Sequence, residues 1–203
     1  MRTTRIYVLI MAVCLCTHVF AQKDRQAREV LDKTATVMKE AGGIRATFGG
    51  TATGTLLLKG ERFYLNSGGV QSWFDGHTQW SYLESSEEVN ISNPTPEELQ
   101  NINPYALLSL YKQGYDYKYV GAKSRNGKQG YEVILTPEQK QDIASITLFV
   151  SQTYQPIYIK VEQENQPANE IIVTSFQTGQ SLDDATFRFD RKKFPDAEII
   201  DLR

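Results

Sequence analysis

Three pairs of adjacent carboxylates, Glu87-Glu88, Glu97-Glu98 and Asp183-Asp184, are the residues whose type could carry acid–base chemistry. A glycosidase needs only two carboxyl groups facing each other across a cleft. Neighbours on a strand point to opposite faces, however, and Glu97-Glu98 falls in the first turn of an expected helix, where carboxylates complement the dipole. Solvated surface and helix capping therefore account for all three pairs. Other constellations fail on inventory. The chain has two histidines, His18 and His77. His18 lies in an apparent export leader, which leaves His77 alone beside an expected turn and rules out a two-histidine metal site. Both cysteines, Cys14 and Cys16, lie in the same leader, so no thiol nucleophile is expected. No GxSxG elbow, GxxxxGK[ST] loop or GxGxxG turn occurs. The expectation is a protein that works without catalysis, metal or cofactor.

The elements that position the remaining residues begin after that leader. Arg2 and Arg5, the apolar run Ile6 to Leu15 and the small-residue site Val19-Phe20-Ala21 form the three parts of a cleaved signal peptide over residues 1–21. The run is short for a retained membrane anchor. Val13 and Leu15 precede the two cysteines, where lipidation needs a small residue. Residues 22–203 then form one exported, soluble, monomeric domain without disulfide staples. Forty per cent hydrophobic and 23% charged residues describe a folded globular chain, not a disordered or collagen-like one. Net charge is -2 with mixed signs, which argues against a nucleic-acid partner.

Apolar residues Ala27, Val30, Leu31, Thr34, Val37, Met38 and Ala41 recur at helical spacing from about Asp24 to Glu40, and Gly42-Gly43 stops the run. Alternating runs then follow every eight to twelve residues, the spacing of an antiparallel meander. Asp75-Gly76 reads as a two-residue hairpin turn, which would set Trp73 opposite Thr78 and put Trp73, Trp80 and Tyr82 on one face. Thr95, Pro96 and Glu98, then Asn103 and Pro104, carry the N-cap and proline signals of two short helices. Leu99, Leu107, Leu108 and Leu110 make these helices apolar over most of their circumference. Strands resume from Tyr115, with a last one near Phe187–Phe189 and an edge strand within Phe194–Leu202. About eleven strands, one N-terminal helix and lid helices give a mainly β, α+β fold: an incomplete antiparallel barrel with the helices over its concave face.

The segment from Gly54 through Lys59-Gly60-Glu61-Arg62-Phe63, followed by Trp73-Phe74-Asp75-Gly76 and Trp80-Ser81-Tyr82, resembles the LolA family of periplasmic outer-membrane lipoprotein carriers. The resemblance extends from the N-terminal helix through Ile44-x-Ala46-x-Phe48 to Phe187-x-Phe189 and the last five residues. It implies a half-barrel that takes lipoprotein acyl chains from an inner-membrane releasing transporter and delivers them to an outer-membrane acceptor. It also places Lys59 where many members carry an arginine important for passing cargo on. Lysine keeps that charge without the planar fork of donors. The cargo face is expected to comprise Phe48, Leu56, Leu58, Phe63, Leu65, Trp73, Trp80 and Tyr82, covered by Leu107, Leu108 and Leu110. Alternation groups Leu56 with Leu58 and Phe63 with Leu65 but leaves open which face turns inward. A second reading of the same half-barrel is a sensor domain that recognises lipid or misplaced lipoprotein and relays it to a protein partner.

Overall fold

A computed structural model describes residues 24–95, 98–99, 110–112 and 114–203. Its one long helix, α1 (Arg25–Glu40), is capped by Asp24, whose carboxylate accepts from the Gln26 and Ala27 amides. Ala27, Val30, Leu31, Thr34 and Met38 form its buried stripe. Gly42 ends the helix at φ 70°, a conformation open to glycine. The Ala41 carbonyl beside it accepts from the Gly179 amide at 2.9 Å, so the far end of the chain closes the helix.

Six strands follow: β1 (Gly43–Gly50), β2 (Gly54–Lys59), β3 (Arg62–Ser67), β4 (Val70–Phe74), β5 (Gln79–Leu83) and β6 (Glu88–Ser92). A second run holds β7 (Tyr115–Arg125), β8 (Lys128–Pro137), β9 (Ile143–Ser151), β10 (Pro156–Gln163) and β11 (Asn169–Gln177). The chain ends with β12 (Glu198–Asp201). All twelve form one sheet in the order β12-β6-β5-β4-β3-β2-β1-β11-β10-β9-β8-β7, left open between β12 and β7. The two meanders join only at β1–β11, and the one parallel pairing is β12 on β6. This is the expected open half-barrel, with α1 packed across β7 and β8.

Two local expectations are corrected. Asp75-Gly76 is part of a four-residue loop rather than a two-residue turn, so Trp73 pairs with Trp80 and Phe74 with Gln79. The cause is the Asp75 carboxylate, which accepts from the His77 and Thr78 amides and lengthens the turn. The slip is two residues, so the parity of β5 is kept. The stretch near Phe187–Phe189 is no strand. Asp183 accepts from the amide and hydroxyl of Thr186 and opens a 3-10 turn over Asp184–Phe187. The edge strand expected within Phe194–Leu202 is β12. Strand β7 also runs past Val120 to Arg125, because Asn126 and Gly127 both adopt positive φ and make a tight two-residue turn into β8.

Candidate functional site

Register assigns each face. Ile44, Ala46 and Phe48 of β1 lie opposite Leu58, Leu56 and Gly54 of β2, and Leu58 and Leu56 lie opposite Phe63 and Leu65 of β3. These side chains share the face that carries α1, because the same apolar cluster holds Ile44, Leu58, Phe63 and Phe74 together with Ala27, Val30 and Leu31. From the other meander it includes Tyr117, Val133, Ile146 and Leu148. The helix side is thus the concave side.

Burial along this face is uneven. Leu58 and Phe63 are closed off at 2% and 1% exposure, whereas Phe48, Leu56 and Leu65 are only half-buried. Ile159 and Val161 of β10 and Phe176 of β11 are half-buried against the same cluster. Phe48 spreads its ring over Gly54, where an added Cβ would stand 2.4 Å from its Cζ. The stripe stops at β4. There Leu65 faces Ser72, Ser72 faces Ser81, and Ser81 faces Asn90. The Ser72 and Ser81 hydroxyls lie 3.2 Å apart, and the Gln79 amide donates to Ser81 at 3.2 Å. An apolar floor with a hydroxyl- and amide-lined flank results.

The tryptophans are not on that floor. Trp73 pairs with Tyr64 and Trp80, and Tyr82 with Gln71, which puts Trp73, Trp80 and Tyr82 on the outer face. Trp73 packs edge-on against Phe189 and Phe194, and Tyr82 lies 4.5 Å from the Phe194 ring centre. The expectation that they line the concavity with Leu56 and Leu65 is therefore corrected. Phe63 and Phe74 pair inside, 5.6 Å apart, and strict alternation turns Trp73 out to a C-terminal segment that supplies an apolar cover.

Lys59 ends β2 with its ammonium donating to the Leu182 carbonyl at 2.5 Å, which anchors the C-terminal segment where it crosses the sheet. At the margins of the concave face, Thr95 and Glu98 form the expected reciprocal capping box, with bonds of 2.8 and 3.3 Å. Leu99 packs on the core cluster. Further along the chain Tyr111 donates to Asp32 of α1 at 2.6 Å, and burial together with that carboxylate drives its phenol pKa up. Leu107 and Leu108, the second helix start at Asn103-Pro104 and the side chain of Leu110 lie outside the described residues, as does the leader.

Asp24 links α1 to the sheet edge, because its second oxygen accepts from the Tyr119 amide of β7 at 2.8 Å. That bond, followed by those from Ala27 and Gln26, holds the carboxyl below the usual range despite partial burial. The rim between α1 and the β9–β10 turn is built by Tyr131 stacked on Tyr154 and by Lys33, which lies over the Tyr154 ring and also donates to its hydroxyl. Asp183, Asp184 and Glu98 serve caps and an Arg62 ion pair, and His77 is exposed. Among the described residues no group of three or more His, Cys, Asp or Glu could hold a metal ion. None of their helices is long and apolar enough to cross a membrane.

Phe176, Ile159 and Val161 are floor residues that the sequence does not single out. Their period-2 alternation is legible, but the β1–β11 pairing, which sets Phe176 opposite Ala46 and joins the second meander to the first, leaves no local signal.

An open antiparallel sheet that keeps a half-buried apolar stripe under a helix belongs to the binding folds. The family model described as outer membrane lipoprotein carrier protein LolA matches residues 17–166, and the chain belongs to that family. Among solved structures it is similar to an uncharacterised conserved protein of Thermus thermophilus at 14% identity, covering 87% of this chain and 99% of that one with a TM-score of 0.63. It is similar too to the Mycobacterium tuberculosis lipoprotein LppX at 11% identity, with 79% and 100% coverage and a TM-score of 0.50. A putative outer membrane lipoprotein-sorting protein domain of Vibrio parahaemolyticus matches at 11% identity, 83% and 98% coverage and a TM-score of 0.46. No curated protein sequence gives a significant match.

Proposed function

We propose that the protein is a periplasmic carrier that takes up the acyl chains of lipoproteins, or of lipids, on its concave face and shuttles them from inner to outer membrane. Under this reading Met1–Ala21 directs export and is removed, an inner-membrane transporter loads the carrier and an outer-membrane acceptor unloads it. The observation that carries the proposal is the stripe of Phe48, Leu56, Leu65, Ile159, Val161 and Phe176, which is only half-buried. A core completed for stability alone would close such residues as it closes Leu58 and Phe63. Acyl chains gain about 0.8 kcal/mol per methylene on leaving water, so the stripe is a sufficient driving surface. The serine flank at Ser72 and Ser81 suits the ester and glycerol end of the same ligand. Leu107, Leu108 and Leu110 act as its cover, and Lys59 acts in handover by holding the C-terminal segment.

Mass spectrometry of lipids that copurify with the exported protein, beside displacement of a fluorescent fatty acid, tests the reading. Leu65→Glu is expected to abolish retention with a stability loss of about 1–2 kcal/mol, since a partly buried leucine contributes most of what a fully buried one does. Bound lipid unchanged in Leu65→Glu and Leu56→Glu would overturn it.

A further inference from the structure

On the face away from the acyl stripe, a cavity of about 380 Å³ lies between the sheet and the C-terminal segment. Tyr64 and Trp73 of the sheet and Phe194 of the segment form its aromatic wall, and Thr186, Arg188 and Lys193 its polar wall. Tyr64 is already spent on Gln71, to which its hydroxyl donates at 3.0 Å. Among the described residues Arg188 uses only its Nε, on Asp75 at 3.1 Å, which leaves the two terminal nitrogens for a ligand. Lys193 forms no ion pair among the described residues. Trp73 is 7% exposed, and its indole N–H has no acceptor among the described residues. Among the described residues no buried side-chain nitrogen or oxygen lacks a partner, so this N–H reaches solvent at the cavity wall and stands open as a donor.

The free groups are thus overwhelmingly donors, and two are cations. Asp190, the one carboxylate of the lining, caps the Lys192 amide with one oxygen at 3.0 Å. Four of the six residues from Arg188 to Lys193 are basic, in a chain whose net charge is -2. Phe189 and Phe194 of the same stretch pack on the outer sheet face, and of the four cations Arg188 and Lys193 line the cavity. A donor-rich, cationic cavity with an aromatic wall matches a tetrahedral oxyanion attached to an organic group.

We infer that this outer cavity is a second binding site, one for a phosphate ester, with Arg188, Lys193 and the Trp73 indole as donors. The ester could be a free metabolite or the headgroup of an anionic lipid at a membrane surface. Neither source needs the acyl stripe, so the inference is independent of the carrier reading.

The test uses the purified exported protein labelled with nitrogen-15. Only two tryptophans are present, so Trp73→Phe assigns the Trp73 indole resonance directly. Titration with glycerol 3-phosphate, and separately with phosphatidylcholine vesicles with and without about 30% phosphatidylglycerol, distinguishes the two sources. The expected result is a saturable shift or loss of the Trp73 indole signal with one of the two probes, while the Trp80 signal stays put. A response to glycerol 3-phosphate identifies a soluble ester; a response to the phosphatidylglycerol vesicles alone identifies a headgroup. Lys193→Gln, at an exposed position, is expected to weaken the response about tenfold, the scale of one lost charge-assisted bond. An unmoved Trp73 indole with both probes, or a response equal in Lys193→Gln, would overturn the inference. Displacement of fluorescent fatty acid should be unaffected by Lys193→Gln, which keeps failure here separate from failure of the acyl site.

Discussion

Replacing Asp24 by alanine removes three bonds from one carboxylate and thereby separates α1 from the sheet edge. Losing the N-cap costs about 1 kcal/mol. Leaving the partly buried Tyr119 amide without its acceptor costs about 1 kcal/mol more. A loss near 2 kcal/mol lowers the melting temperature of a domain this size by about 4–8 °C. The substitution Asp24→Asn retains an oxygen for the cap but offers an amide where Tyr119 needs an acceptor, so about half the loss should remain. The pH dependence has a definite sign. Because the folded carboxyl titrates below its unfolded value, its contribution is complete above the unfolded pKa of about 4 and fades as pH falls through the folded one. Thermal melts by circular dichroism at about pH 7 and about pH 2.5 check both points. Equal melting temperatures for Asp24→Ala and wild type at neutral pH, or a gap that persists undiminished in acid, would refute the tether.

Gly54→Ala should destabilise by about 2–3 kcal/mol, the scale of an overpacked core. Its Cβ would sit 2.4 Å from Phe48 Cζ and 2.5 Å from the Asn66 carbonyl, and urea denaturation measures the loss. Glu132, 5% exposed on the outer face, is resisted by burial but held below the usual carboxylate range by bonds from Lys123 and Arg125. Glu132→Gln should cost about 1–2 kcal/mol at neutral pH, less than a fully buried pair because both cations are part-exposed, and the difference should vanish in acid. Lys59→Ala should leave the melting temperature within a few degrees yet speed proteolysis near Leu182, read by intact mass; unchanged cleavage would show that the bond to the Leu182 carbonyl anchors nothing.

Local signals carry much of the architecture. The stripe on α1, the Thr95/Glu98 box and the meander spacing all rest on contacts a few residues apart, and each is legible. The pairing of Leu56, Leu58, Phe63 and Leu65 on one face follows from period-2 alternation. What alternation cannot supply is the sign of the face, since Trp73 and Phe74 are equally plausible as inward residues until their neighbours are known. The decision belongs to residues far away in sequence: Phe189 and Phe194 cover Trp73, while α1 and the second meander cover Phe74. The hairpin register fails for a smaller reason, the reach of the Asp75 carboxylate to two amides instead of one.

The seam between β1 and β11 sets the order of events as the chain folds. Thr47 and Thr174 bridge that seam by their hydroxyls, 127 positions apart. Each meander can close its own hairpins early, because its pairings are between sequence neighbours. The half-barrel cannot form until the last third of the chain has arrived, and closing so long a loop makes the joining step slow. Until then both β1 and β11 present unpaired strand edges beside apolar residues such as Phe48 and Phe176. The interval before the seam closes is the period in which this protein is most exposed to aggregation and proteolysis.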